Sequence, residues 1–213
     1  VPEPLAARLR RAGLDANART NLVALLREQR AATTALPTDT TVVLERHRDE
    51  TGSWRLVVHS ARGRGVHAPW ALAIRERARQ VLGVEPQTLV SDDGIVLQLP
   101  ATVGSPPGPE LVILDPGETA FLVRSQVEGT ALFAARFREC AARALLMRPP
   151  RPGRRTPLWL QRLRSAELLQ ASRNLVGFPL LVEAARECLR DVYDLPALTE
   201  LLGWARLDEP DTV

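Results

Sequence analysis

The chain has 213 residues, of which 45% are hydrophobic and 25% charged, with a net charge of +3 and an isoelectric point of about 9.6. That much apolar content can fill the core of one large domain or two small ones, which argues against a disordered segment. No apolar run is long enough to cross a bilayer as a helix, and residues 1–15 do not read as a signal peptide.

Residues 1–15 are polar, basic and Pro-containing, and read as the tail of a preceding element. The chain starts at Val1 and is expected to be cut from a longer protein. Asp15 or Asn17 caps a predicted helix through about Ala32, with Leu22, Val23, Leu25 and Leu26 on its apolar side. Leu36-Pro37-Thr38-Asp39 breaks it. Thr41–Arg48 and Ser53–Ser60 are Val-rich predicted strands joined by Asp49-Glu50-Thr51-Gly52, a hairpin signal. Arg62-Gly63-Arg64-Gly65 is a basic, flexible loop. Pro69 is expected to start a helix through Leu82, ended by Gly83.

Thr88–Val90 and Ile95–Leu99 flank Ser91-Asp92-Asp93-Gly94, a second hairpin signal. After the Gly/Pro/Ser-rich loop Ala101–Pro109, Leu111–Leu114 reads as a short edge strand. From Pro116 the period becomes helical, over about Glu118–Gln126, Thr130–Met147, Pro157–Asn174, Pro179–Tyr193 and Pro196–Trp204. The fold class is α+β: a strand-rich platform of two hairpins, a short strand and one or two helices over residues 1–115, then an all-helical part over 116–213. Together they read as one composite domain.

The stretch from Thr130 to Leu169 carries the densest pattern. Leu132, Phe133, Phe137, Cys140, Ala144 and Leu145 form one expected buried stripe, and Leu158, Leu163 and Leu168/Leu169 another. Between them four prolines hold residues 148–157 extended, with Thr156 as the expected N-cap and Pro157 at the first helical position. Arg148, Arg151, Arg154 and Arg155 on that stiff loop suit phosphate contact. All 28 basic residues are arginine, so every cation has the planar, bidentate head group. Cys140 and Cys188, with no C-x-x-C spacing, read as buried thiols of a reducing compartment.

Nothing in the chain makes a nucleotide-hydrolysing site. It lacks the G-x-x-x-x-G-K-[ST] loop that cradles phosphates and holds a metal. His47, His59 and His67, with Asp92 or Asp93, do not have the spacing of a metal-ligand set, and the two aspartates are explained by their hairpin turn. Trp54 leaves two readings open. Trp54, Leu56 and Val58 alternate onto one strand face, which favours core; an indole at a strand end, followed by Arg55, can instead offer its face to a base. Trp159 follows the Arg-Pro loop, and packing of the first helical turn against that hinge is its simpler reading. Trp70 and Trp204 read as core or interface. Arg136, Glu139 and Arg143 read as an ion-pair ladder, as do Arg186, Glu187 and Arg190. Arg62 and Arg64 sit beside glycines that let backbone approach a phosphate, or else in a solvated turn.

Four segments carry a resemblance: TVVLERHRDETGSWRLVVHSARGRGVHAPWALAI at 41–74, SDDGIVLQLP at 91–100, ALFAARFRECAARALL at 131–146 and FPLLVEAARECLRDVYDLPALTELL at 178–202. Over most of residues 20–202 the chain resembles the large helicase-related (Lhr) family of superfamily 2 helicases. The match is to the DEAD/H-box helicase-associated domain downstream of the motor lobes and winged helix, and not to the motor. The resemblance implies an accessory, non-catalytic domain whose parent is an ATP-dependent 3′-to-5′ DNA helicase acting in DNA repair and on RNA:DNA hybrids. It implies no cofactor in this piece, and ATP and Mg2+ in the parent. It also places a base-stacking tryptophan at the position of Trp54. The expected binding set is Trp54, Arg55, Arg62, Arg64, Arg148, Arg151, Arg154, Arg155 and Trp159. Expected partners are single-stranded DNA or an RNA:DNA hybrid and the motor lobes and winged helix of the same chain, with no membrane, in a cytoplasmic, nucleoid-associated setting. The alternative is a structural module bracing the motor without touching nucleic acid.

Overall fold

Period-two alternation makes the platform. In the computed structural model, which describes residues 2–33, 35–105, 107–147, 156–175 and 177–205, four strands form one antiparallel sheet. They are β1 (Val43–Arg48), β2 (Trp54–His59), β3 (Gln87–Val90) and β4 (Gly94–Leu99), in the order β1-β2-β4-β3. Leu56 pairs with Leu97 and Val58 with Ile95, so the buried residues of the two central strands stack on one inner face. Val57, Val96 and Leu89 form a row on the outer face, where Leu89 stays exposed. A Cβ at Gly94 would fall 2.0 Å from the Val58 carbonyl oxygen, so the turn into β4 admits only glycine.

The inner face is closed by α3 (Arg64–Leu82), which ends at Gly83 in the left-handed region as expected. Its start is five residues earlier than predicted, with Pro69 inside the helix. Pro69 has no N–H to give the carbonyl of Gly65 four residues back. That carbonyl instead accepts from the N–H of Asp194 at 2.8 Å, which removes the reason for the helix to start at the proline. The predicted strand at Leu111–Leu114 is also corrected. Pro109–Leu111 is a 3-10 turn, and Leu111, Val112 and Leu114 enter the core without pairing. The Val112 carbonyl accepts from the buried indole N–H of Trp70 at 2.8 Å.

The remaining helices follow their caps. An unforeseen α1 (Glu3–Arg11) precedes α2 (Ala16–Thr33), where the Asp15 carboxylate accepts from the Ala18 N–H. Asp115 caps α4 (Pro116–Val127) and Thr130 caps α5 (Ala131–Arg143). α6 (Leu158–Ser172) begins one residue after Pro157, and the expected Thr156 cap is corrected: Thr156 contributes its carbonyl, which accepts from the Gln161 side-chain amide at 2.9 Å. α7 (Pro179–Arg186) passes into a π-helical turn at Glu187–Val192, and Asp194 caps α8 (Leu195–Trp204). None of the described helices is long and apolar enough to cross a membrane.

Two cores result. The first joins the inner sheet face to Trp70 and Ile74 of α3, Leu122 and Val123 of α4 and Leu198 and Leu201 of α8. The strand-rich and helical stretches therefore share a core. The second gathers Phe133, Phe137, Cys140 and Ala141 of α5 around Ala184, Cys188 and Tyr193, with Leu168 and Leu169 of α6 at its edge. Leu72 of α3 also packs there, so α3 lies between the two. The expected stripes need correction. Ala144 and Leu145 fall past the end of α5, Leu145 with φ 59° and fully outward, and Leu158 and Leu163 are exposed. The ladders change as well. Arg136 bonds Glu139 at 2.7 Å, but Arg143 reaches across to Glu187, while Arg186 binds Glu183 and Asp191.

Candidate nucleic-acid interface

Trp54 begins β2 on the inner-face side, beside buried Leu99 of β4, and is itself only partly buried. Its indole N–H donates to the Val103 carbonyl at 3.0 Å, which fixes the ring plane against the 101–108 loop. The guanidinium of Arg48, its cross-strand partner on β1, lies over the ring with Cζ 4.5 Å from the centroid. Trp54 is thus a rim residue, packed at one edge and capped by a cation at the sheet's border. Such a contact is worth ~0.5–1 kcal/mol at an exposed site.

Arg48 and Arg46 were not among the expected binding residues. They alternate with His47 onto the Trp54 side of β1, and donate to the carbonyls of Gly104 (3.3 Å) and Pro107 (3.5 Å). Neither meets a carboxylate among the described residues. The signal was available in the strand LERHR, because residues two apart share a face. What was missing was the register that lays Arg48 against the tryptophan.

Arg55 points to the opposite face of the sheet and is bound to Asp49 at 3.3 Å. It does not share a surface with Trp54. Asp49 is the knot of that hairpin. One carboxylate oxygen accepts from the Thr51 hydroxyl (2.6 Å), the Thr51 N–H and the Ser53 N–H, the other from Arg55 and Gln98. The Thr51 hydroxyl above all, with help from Arg55 and against a rise from burial, holds the Asp49 carboxyl below the ordinary carboxylate range. A depressed folded-state pKa contributes stability above the unfolded value and loses it as pH falls. The expected result is that wild-type stability drops below about pH 4 and that Asp49→Asn, weaker at pH 7, shows less of this drop. Denaturant unfolding at pH 3 and pH 7 checks it, and parallel pH profiles for the two proteins would exclude the role.

Arg62 and Arg64 lie beyond the far end of β2, about 17 Å or more from Trp54 along the strand. Arg62 is already engaged: it donates to the Asp39 carbonyl at 2.6 Å and lies over the Trp204 ring at 5.3 Å. Arg64 is exposed, its backbone N–H held by Asp92 at 3.1 Å. Arg148, Arg151, Arg154 and Arg155 lie outside the described residues. Trp159, expected to pack against the hinge, is instead 67% exposed on α6. Of the expected set, then, Trp54 and the Arg62/Arg64 turn sit at two ends of one strand, Arg55 faces away, and Trp159 stands on the second core's outer helix.

The other titratable groups have structural roles. His67 is buried with Nδ1 donating to the Ser91 carbonyl at 2.9 Å, while His47 and His59 both approach Glu45 on the outer sheet face. Among the described residues no cluster of three His, Cys, Asp or Glu could hold a metal ion. Cys140 and Cys188 are both buried free thiols, and burial pushes Cys188 up to about 11, far from the thiolate form.

The fold is thus an α+β platform with two cores and a cation-capped indole on its rim. The chain belongs to the DEAD/H associated family, matching it over residues 36–211. Its relatives are Lhr helicases. It is 51% identical over 195 residues to the Lhr helicase/probable uracil glycosylase of Mycolicibacterium smegmatis, covering 92% of this chain and 13% of that protein. It is 50% identical over 182 residues to the Lhr helicase/uracil glycosylase of Escherichia coli, covering 85% and 12%. The structure of Mycobacterium smegmatis helicase Lhr bound to ssDNA and AMP-PNP superposes with a TM-score of 0.82 at 49% identity, covering 94% of this chain and 26% of that one. The chain therefore spans about an eighth of the length of the M. smegmatis and E. coli proteins and about a quarter of the solved one.

Proposed function

We propose that this chain is an accessory single-strand-binding domain of an ATP-dependent helicase. Trp54 holds a base by stacking, and neighbouring arginines hold the sugar-phosphate backbone without reading sequence. The observation that carries the reading is the Trp54 indole itself. Its N–H is anchored by Val103, it sits on the sheet's rim, and the Arg48 guanidinium lies over its ring. Stacking of a base is worth ~1–3 kcal/mol, more than the exposed cation contact it would replace. A likeness at about half identity to a helicase solved with single-stranded DNA supports it further. Arg64 and the arginines at 148, 151, 154 and 155 belong to the proposed phosphate path. In the intact protein the motor lobes and winged helix supply ATP and Mg2+ chemistry and 3′-to-5′ movement, and this domain guides the strand they pull, including in RNA:DNA hybrids and in DNA repair within the nucleoid.

Titration of the chain with a fluorescent oligo(dT) probe at two salt concentrations tests the reading. Each phosphate contact is expected to add about 0.7 to the steepness with which log affinity falls against log salt. Absence of binding, or binding indifferent to salt, would remove it.

A second reading has its own support. Leu158 and Trp159 are both more than two-thirds exposed at the start of α6, with Leu163 half exposed. A groove of about 500 Å3 between α5 and α6 is lined by Ala131, Ala134, Ala135 and Leu169 together with Arg138 and Arg162. Apolar exposure of this kind fits a bracing surface against another part of a larger protein. Under that reading Trp159→Ala leaves oligonucleotide affinity unchanged.

A further inference from the structure

We infer that Arg48 is a displaceable cap on the Trp54 indole, which moves onto a phosphate of the incoming single strand, with Arg46 as a second phosphate ligand beside it. The inference rests on the single-strand reading of Trp54 and adds two residues and a mechanism to it.

The geometry gives Arg48 two unequal attachments. Its guanidinium lies 4.5 Å from the ring centroid, and its Nη2 donates to the Gly104 carbonyl at 3.3 Å, a long bond to a neutral acceptor. Arg46 is held by one still longer bond, 3.5 Å, to the Pro107 carbonyl. Other arginines of the fold are committed to carboxylates: Arg55 to Asp49, Arg77 to Glu118, Arg79 to Glu76 and Arg186 to Glu183. No carboxylate lies within ion-pair distance of Arg46 or Arg48 among the described residues. β1 is an edge strand, with no further strand of the sheet paired beyond it among the described residues. Residues two apart on a strand are about 7 Å apart, which sets the two guanidiniums in a row beside the ring.

A base that stacks on the Trp54 face beneath Arg48 takes the surface that the guanidinium covers. The displaced cation then leaves a neutral carbonyl and a ring face for an anionic phosphate, and a charge-assisted, bidentate contact is the stronger of the two. One arrival thus uncovers the ring and creates the ion pair. In the empty state the same guanidinium shields an indole that would otherwise stand bare on the rim.

The test compares single-strand affinity across a salt series for the intact protein and its Arg48→Ala, Arg48→Lys and Trp54→Leu variants, with oligo(dT) as probe. Arg48→Ala is expected to make the log–log slope shallower by about 0.7, the value for one phosphate contact, and Arg48→Lys to restore the slope. An Arg48→Ala slope equal to wild type, with Trp54→Leu still weakening binding, overturns the role of Arg48 alone. Failure of the wild type to bind, or an unchanged affinity in Trp54→Leu, overturns the single-strand reading and this inference with it.

Discussion

Trp54→Ala is expected to weaken single-strand binding by roughly 5- to 150-fold, the equivalent of the ~1–3 kcal/mol of one base–aromatic stack. The same substitution removes a partly buried ring from the edge of the first core and leaves the Val103 carbonyl without its indole donor. A loss of affinity could therefore come from a loosened 101–108 loop. Trp54→Leu separates the two effects. It keeps apolar bulk against Leu99 and loses the π face, so it should restore much of the stability and little of the affinity. In the intact protein, duplex unwinding should follow the affinity. If Trp54→Leu binds and unwinds like wild type while Trp54→Ala only melts earlier, the ring is a packing residue.

The second large effect is on stability. Phe137 is fully buried on α5, in the core that carries α6, α7 and the π turn. Phe137→Ala removes the ring and leaves a cavity, at a cost of about 3–5 kcal/mol. For a chain of this size that is about 6–20 °C in melting temperature. Thermal unfolding followed by circular dichroism reads it directly, and Phe137→Leu, which fills most of the space, should lose far less. Because α6 bears on this core, the alanine variant should also blur any function of the Trp159 surface while leaving Trp54, in the other core, in place. A drop under 1 °C would mean that α5 does not hold the helical half together.

The contrast between these sites explains what could be read in advance. Both hairpins were legible because Asp49–Gly52 and Ser91–Gly94 combine turn residues with alternating flanks, and local chemistry decides such turns. The Asp15 cap and the glycine stop at Gly83 were legible for the same reason. Leu111–Leu114 was not. Four apolar residues without a period fit a strand or a buried turn equally well, and the indole of Trp70, 42 residues away, decided for the turn. Leu145 matched a helical stripe, but the chain had already left the helix at Arg143. At the candidate site the tryptophan was visible and its cation was not. Arg48 meets Trp54 only through a cross-strand register, whereas Arg55, adjacent in sequence, is sent to the other face by the pleat.

The vacancy that Pro69 leaves at the Gly65 carbonyl has a mechanical consequence. Since Asp194 fills it, α8 is latched to the basic turn through a bond that the turn's own helix cannot re-form. Fraying α8 from its N-terminal end would strand that oxygen, a penalty of ~1–3 kcal/mol if it stayed buried. Force applied at residues 62–65 is therefore passed directly to the start of α8 through that bond.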